Sequence, residues 1–204
     1  MRENRKEAIM MATLELAAQH GLGHVSMNMI AERVGIKKPS LYNHFASKEA
    51  LIEELYRFLR QRAMELAHPP TMDYSKLFRE KSALDILRQA VSGYVHMTSQ
   101  KELLAFYKVI YSERTIHPMA AKIMAEEAET MVAATRQLFY AMQVHHLLNF
   151  KNADMSALSF AMTVHGLIDY SMDRRANEAE GEPMQNDWLE SYLTWFCGEH
   201  TIKE

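Results

Sequence analysis

The sequence contains a single cysteine, Cys197, among 204 residues. One cysteine excludes a disulfide within the chain and any zinc or iron–sulfur site that needs several cysteine ligands. Sparing use of cysteine is typical of proteins in a reducing compartment. We therefore expect a cytoplasmic protein whose fold depends on packing and not on disulfides.

The sequence also has no long apolar run. No uninterrupted stretch approaches the roughly 20 apolar residues that a membrane-spanning helix needs. The segment from Arg2 to Glu7 is too highly charged to open a signal sequence. We expect neither a membrane span nor a secretory signal.

Motifs of catalysis and cofactor binding are missing as well. The sequence has no His-Glu-x-x-His, no nucleophile elbow and no phosphate-binding loop. His145 and His146 are adjacent, so on a helix they would point in different directions. The acidic residues Glu126, Glu127 and Glu129 are typical of a solvated helix face. We expect no metal, no cofactor and no catalytic residue, and hence a protein that is not an enzyme.

Charge is unevenly distributed along the chain. Residues 1–48 carry seven Lys or Arg and four Asp or Glu, although the whole chain has a formal net charge of −3. The basic end is therefore a candidate for binding a polyanion. An imbalance of this size also occurs on ordinary solvated surfaces, so charge by itself does not decide the function.

Apolar residues recur at helical spacing through the whole chain, which predicts an all-α fold of eight to ten helices. Gly21 and Gly35 are placed to end helices, while Ser26 and Ser47 are placed to cap the helices that follow them. Pro39 suits a first helical turn. The first four predicted helices cover residues 4–20, a short stretch after Ser26, a brief stretch from Lys37, and a stretch from Ser47 to the break at His68-Pro69-Pro70. Five more are predicted at residues 82–97, 101–112, 118–147, 154–177 and 187–200.

A short helix, a glycine turn at Gly35 and a second short helix form the pattern of a helix-turn-helix, whose second helix enters the DNA major groove. Leu41 and Phe45 are four residues apart and can face the core of such a domain. The other residues of this segment offer hydrogen-bond donors: Lys37, Lys38, Ser40, Tyr42, Asn43 and His44. An ordinary surface helix is the alternative interpretation of the same residues.

The sequence resembles the TetR family of bacterial regulators over about residues 4–60. The motifs that carry this resemblance occur in the family's order and spacing: Gly21, Ser26, Ile30-Ala31, Gly35-Ile36, Leu41-Tyr42-Asn43-His44-Phe45 and Lys48-Glu49-Ala50-Leu51. Beyond Pro70 only the expected helical pattern remains.

The resemblance implies two domains and a function. Residues 1–62 would form a three-helix, helix-turn-helix DNA-binding domain with its motif at about 25–44, joined through the fourth helix to a larger helical ligand-binding and dimerisation domain at 63–204. The implied function is that of a transcription regulator, usually a repressor, that binds a near-palindromic operator as a homodimer and is released by a small-molecule effector. A regulator controlled by a protein partner is the alternative.

The resemblance also implies specific DNA contacts. Groove contacts are expected from Lys38, Pro39 and Ser40, phosphate contacts from Tyr42, His44 and Lys48, and further contacts from Lys37, Asn43, Ser26, Met27 and Asn28. Many relatives have a cation or long donor near Met27 or Asn28, and neither residue is one here. Tyr42 could instead be a core aromatic residue.

In the TetR family the last two long helices pair with those of a second copy. The corresponding segments, 154–177 and 187–200, are rich in apolar and aromatic residues, although an intramolecular core would have the same composition. The predicted dimer-interface residues are Phe160, Val164, Gly166, Leu167, Trp188, Tyr192, Trp195 and Phe196.

Sixteen methionines are many for a chain of this size. Methionine adapts to irregular apolar ligands, so an apolar effector pocket is one interpretation and ordinary core packing is another. The candidate pocket residues are Met97, Phe106, Tyr107, Tyr111, Met124, Met131, Tyr140 and His165.

Overall fold

The computed structural model describes residues 2–67, 78–177 and 188–202, and within these ranges it contains helices and no strands. The all-α prediction is therefore confirmed. The helices are α1 (Arg2–His20), α2 (Met27–Val34), α3 (Lys38–Tyr42), α4 (Lys48–Ala67), α5 (Ala83–Thr98), α6 (Lys101–Glu113), α7 (Pro118–Val144), α8 (Ala153–Asn177) and α9 (Trp188–His200), with a 3-10 turn at Leu22–His24 between α1 and α2.

The predicted helix boundaries agree with the structure to within two or three residues. The largest difference is at the end of α7, predicted at residue 147 and observed at Val144. The cause is His146, which adopts a left-handed conformation with φ 54° and so turns the chain out of the helix. The amide of Leu147 then donates to the carbonyl of Met142 at 2.9 Å. The predicted break at residues 68–70 lies outside the described residues.

The chain divides into two compact units. The first contains residues 1–69 and 96–125, and the second contains residues 70–95 and 126–204. Each unit therefore combines two segments that are distant in the sequence. A compact unit differs from a domain that folds by itself, so the predicted division between residues 62 and 63 stays a prediction.

The core of the first unit holds the N-terminal helices together. Leu41 and Phe45 are buried in it, as their spacing predicts. The hydroxyl of Ser47 accepts a hydrogen bond from the Ala50 amide at 3.1 Å and thereby caps α4. These contacts place the inner face of α3 against the other helices of this unit.

The first unit also takes in α6. Phe106 and Ile110 of α6 lie in the same core as the N-terminal helices. The Phe106 ring packs edge-on against the ring of Tyr56, with 6.1 Å between ring centroids. Phe106 is therefore a buried core residue, and the expectation that it lines a ligand pocket stays a prediction.

An aromatic cluster forms the centre of the second unit. Phe139 of α7 stacks on Phe150 at 4.5 Å between centroids and meets Phe160 of α8 edge-on at 5.3 Å. Phe196 of α9 contacts the same ring at 5.5 Å. One buried ring thus joins α7, α8, α9 and the segment between α7 and α8.

The first turns of α8 and α9 are held by charged side chains from other helices of the second unit. Asp154 of α8 forms an ion pair with Arg136 at 3.2 Å and accepts a hydrogen bond from the Tyr140 hydroxyl at 3.0 Å. Glu190 of α9 accepts from Nε of Arg88 at 2.9 Å. The Arg88 guanidinium holds the pKa of Glu190 below its ordinary value. These exposed pairs orient the helix starts and add little to stability.

None of the described helices combines the length and the apolar character needed to cross a membrane.

Truncating the central ring tests the packing of the second unit. We expect Phe139→Ala to lower the free energy of unfolding by about 3–5 kcal/mol, because it removes buried apolar surface and leaves a cavity. The exposed residue Val144, on the same helix, provides the control Val144→Ala, which should change stability little. Denaturant unfolding of both variants measures the difference, and equal midpoints would contradict the described core.

A second prediction concerns Tyr56, which is only 1% exposed and whose hydroxyl has no hydrogen-bond partner among the described residues. Removing an unpaired buried hydroxyl removes a desolvation penalty, so Tyr56→Phe should raise the free energy of unfolding by about 1 kcal/mol at pH 7. Tyr42→Phe, at an exposed tyrosine, is the control.

The stability that Tyr56→Phe gains over wild type depends on pH. Burial raises the pKa of Tyr56 above its ordinary value, and the nearby Glu113 carboxylate raises it further. Protonated Tyr56 therefore favours the folded state, and this contribution is lost as pH rises above 10, where the unfolded tyrosine ionises. The advantage of Tyr56→Phe should be larger at pH 10.5 than at pH 7, and a smaller advantage at pH 10.5 would contradict the burial.

Candidate nucleic-acid interface

A sharp turn joins α2 and α3. Gly35 has a φ of 71°, a left-handed conformation that side chains disfavour. Its amide donates to the carbonyl of Glu32 at 3.1 Å, and the next amide, of Ile36, donates to the carbonyl of Ala31 at 2.9 Å. These bonds close the end of α2 and send the chain directly into α3.

The start of α2 is capped as the sequence predicts. The Ser26 hydroxyl accepts from the Met29 amide at 3.3 Å, and the Ser26 and Asn28 side chains are exposed. Met27 is only 7% exposed and packs in the core of the first unit. Its burial corrects the expectation of a side-chain contact from Met27, because a buried thioether does not reach an external partner.

The start of α3 is exposed and cationic. Lys37 is in extended conformation just before the helix, and its carbonyl accepts from the Ser40 amide at 2.9 Å. The side chains of Lys37, Lys38, Pro39 and Ser40 are all exposed. Within the described ranges the side chains of the two lysines form no ion pair or hydrogen bond, so both ammonium groups are available to an external anion.

The end of α3 adds further polar groups to this surface. Tyr42 is 44% exposed, and Asn43 is exposed beside it. This exposure decides against the alternative that Tyr42 is a core aromatic residue. His44 is half-buried, and its Nδ1 is buried without a partner among the described residues.

The residues behind α3 hold it in place. The Phe45 ring is buried, and the Lys6 ammonium of α1 lies 5.3 Å from its centroid. The same ammonium forms an ion pair with Glu54 of α4 at 2.8 Å. Helices α1 and α4 thus meet over the inner side of the segment whose outer side carries the exposed polar groups.

Lys48 is engaged within the protein. Its Nζ donates to the carbonyl of Leu22 at 2.8 Å and lies 3.5 Å from the carbonyl of Gly23. The sequence does not predict this contact, because the partners are 26 residues apart and every residue has a backbone carbonyl. Lys48 is half-buried, unlike the exposed lysines of α3.

The exposed groups form one chemical surface on a helix-turn-helix. They combine two cations, hydroxyl groups, an amide and the free amides at the start of α2, which are the groups that contact phosphates and base edges. The described ranges contain no group of three His, Cys, Asp or Glu side chains that could hold a metal ion. The arrangement suits binding of a polyanion.

The predicted pocket residues are divided between the two units. Met97, Phe106, Tyr107, Tyr111 and Met124 belong to the first unit, whereas Met131, Tyr140 and His165 belong to the second.

Tyr140 does not lie in an enclosed environment. It is exposed and donates to Asp154, and this contact raises the pKa of its hydroxyl. Its position corrects the expectation that Tyr140 faces an apolar cavity.

The predicted dimer-interface residues separate into two sets. Phe160, Val164 and Phe196 are buried in the core of their own unit, and their expected contact with a second copy stays a prediction. Leu167 and Tyr192 are half-buried, while Gly166, Trp188 and Trp195 are exposed. The two tryptophans are 51% and 58% exposed.

The first part of the chain matches known proteins in sequence. Residues 9–55 match the model of the family described as bacterial regulatory proteins, tetR family. The tetracycline repressor protein class C of Escherichia coli is 36% identical over 55 residues, 27% of this chain and 25% of the relative. The match spans about a quarter to a third of the length of the curated relatives.

Solved structures resemble the chain over nearly its whole length. A putative TetR-family transcriptional regulator from Mesorhizobium loti has a TM-score of 0.69 at 18% identity, covering 99% of each chain. A putative transcriptional regulator from Saccharomonospora viridis, in complex with choline, has a TM-score of 0.69 at 16% identity, covering 99% of this chain and 100% of the other. At these identities the likeness establishes the fold.

The family motif lies on the observed helix-turn-helix, and the helical fold continues through the rest of the chain as in the structures of TetR-family regulators. Residues 9–55 are thus similar in sequence to the N-terminal part of TetR-family regulators, and the chain as a whole shares their fold.

Proposed function

We propose that this protein is a DNA-binding transcription regulator that binds a near-palindromic operator as a homodimer. In this role α3 enters the major groove and the start of α2 contacts the adjacent phosphates. The regulator acts as a repressor and leaves the operator when a small molecule binds to its C-terminal helices. The proposed site consists of Ser26, Asn28, Lys37, Lys38, Pro39, Ser40, Tyr42, Asn43 and His44.

The DNA-binding proposal rests on α3, which is buried on one side and exposed on the other. Leu41 of α3 and Phe45 just after its end are buried. Lys37, Lys38 and Ser40 are exposed at its start. A helix that served only the core would not require two adjacent cations without partners. The first residues of a recognition helix face base edges, and lysine can donate to O6 and N7 of guanine.

Exposed apolar residues on α8 and α9 support a homodimer. Leu158 and Met162 are exposed at a spacing of four on α8, and Gly166 continues the same face. Trp188 and Trp195 are seven residues apart on α9 and therefore share a face. A Cβ atom added at Gly166 would meet nothing within 4 Å, so the helix surface is open at this position. Such apolar surface is typical of an interface between copies.

One of the similar structures supports a small-molecule effector. The putative transcriptional regulator from Saccharomonospora viridis is in complex with choline. A fold of this kind can therefore hold a small molecule.

Selection of binding sites from random double-stranded DNA tests the proposed function. We expect enrichment of a near-palindrome whose half-sites are about one or two helical turns apart, because a symmetric dimer presents two recognition helices. No enrichment above the starting pool would contradict the function. A small-molecule screen against the selected complex then tests the effector, and release only by a cellular protein would favour a protein partner instead.

The selected operator allows a test of Lys38. We expect Lys38→Ala to weaken binding to the preferred operator by about 1–3 kcal/mol, and by less to operators changed at the contacted base pair, because the variant loses a base-specific donor. Affinities for an operator series at one salt concentration measure this difference.

The control for Lys38 is Lys108→Ala, at an exposed lysine of α6. It should leave the whole series unchanged. If Lys38→Ala instead lowers affinity by a constant factor at every base position, Lys38 contacts phosphate and does not read bases.

Sedimentation tests the dimer. Wild-type protein should be a dimer at micromolar concentration, and Trp195→Asp should be a folded monomer because it places a charge on the apolar face of α9. The control Ile116→Asp changes another exposed apolar residue, between α6 and α7, and should remain dimeric. Monomeric wild-type protein, or dimeric Trp195→Asp, would contradict this interface.

A further inference from the structure

We propose that Lys48 is a positioning residue that holds the turn before α2 and thereby sets the phosphate-binding amides at the start of that helix, without being a phosphate ligand itself. The inference rests on the proposed DNA-binding function. It assigns Lys48 a role different from the direct phosphate contact that the family resemblance implies.

The ammonium of Lys48 is occupied by backbone carbonyls. Its Nζ is 2.8 Å from the Leu22 oxygen and 3.5 Å from the Gly23 oxygen. An ammonium has three donors, so contacts with two carbonyls direct most of its hydrogen-bonding capacity into the protein. Hydrogen bonds from a charged donor are among the stronger ones, so moving this group to a phosphate would be costly.

The turn that Lys48 holds is also held by backbone bonds and by burial of Leu22. The Leu22 carbonyl accepts from the Val25 amide at 3.2 Å, and the Gly21 carbonyl accepts from the His24 amide at 3.2 Å. The Leu22 side chain is buried in the core of the first unit. Lys48 adds the one contact from a charged side chain that is described for this turn, and a charge-assisted bond is stronger than a neutral one.

The direction of α2 depends on this turn. Val25 is buried directly after the turn, and Ser26 then caps α2. The unpaired amides at the start of a helix attract anions, and their aim is set by the residues just before the helix. Lys48 is the first residue of α4, so its side chain connects the start of α4 to the turn that precedes α2.

The two lysines at the start of α3 differ from Lys48 in the contacts of their ammonium groups. Lys37 and Lys38 are exposed, and their ammonium groups form no ion pair or hydrogen bond within the described part of the chain. Their charges can neutralise phosphates directly, and each phosphate contact contributes about one unit to the slope of log affinity against log salt concentration. A positioning residue changes affinity with little effect on that slope.

Two measurements on Lys48→Met separate these roles. In free protein we expect faster hydrogen exchange at the amides of residues 22–29, with exchange in α9 unchanged. On the selected operator we expect roughly tenfold weaker binding, because a charge-assisted bond is lost, with a salt slope within half a unit of wild type. Lys48→Arg, which can donate to both carbonyls, should restore exchange protection and most of the affinity.

Lys37→Met provides the matched comparison, since it removes a charge without a carbonyl partner. It should lower the salt slope by about one unit and leave exchange at residues 22–29 unchanged. If Lys48→Met does not fold, Lys48→Gln replaces it, because glutamine lacks the charge and retains a donor.

The proposal is overturned if removing the Lys48 charge lowers the salt slope by a full unit, or if exchange at residues 22–29 stays at the wild-type rate. If wild-type protein binds no operator, the proposed function fails. The exchange measurement on free protein still decides whether Lys48 holds the turn, so the two failures are distinguishable.

Discussion

Burial of the inner side of α3 is the constraint on which the proposed DNA-binding surface depends. A five-residue helix is too short to be stable by itself, so its direction is set by packing. Leu41 and Phe45 supply that packing, and both are buried in the core of the first unit. With these two residues buried, the Tyr42 and Asn43 side chains between them are exposed, and His44 is half-buried. The cations at the start of α3 are exposed because the packing of Leu41 and Phe45 turns the other side of this helix toward solvent.

The first fifty residues were predictable because their signals are local. A capping hydroxyl such as Ser26 or Ser47 acts within three residues, and the left-handed glycine Gly35 acts within one turn. The structure bears out all three positions. The expected DNA contact from the Met27 side chain is wrong, because this side chain is buried. The first residue of a short helix can lie on its buried or its exposed side, and the neighbouring residues do not determine which.

Contacts across long sequence separations were not predictable. The bond from Lys48 to Leu22 joins residues 26 apart, and the acceptor is a backbone atom. The apolar face of α8 was recognised, but Phe160 and Val164 turned out to pack inside their own unit while Leu158 and Met162 are exposed. A helix that is apolar on several sides has no periodicity that separates an inner core from an outer interface.

The most direct test of the central claim is to locate the residues that contact DNA. Amide chemical shifts of the protein can be followed by NMR while a duplex carrying the selected operator is added. The account predicts that the largest changes fall at residues 26–28 and 37–44, with small changes in α9. Large changes confined to α8 and α9, with residues 37–44 unaffected, would contradict the assignment of α3 as the recognition helix.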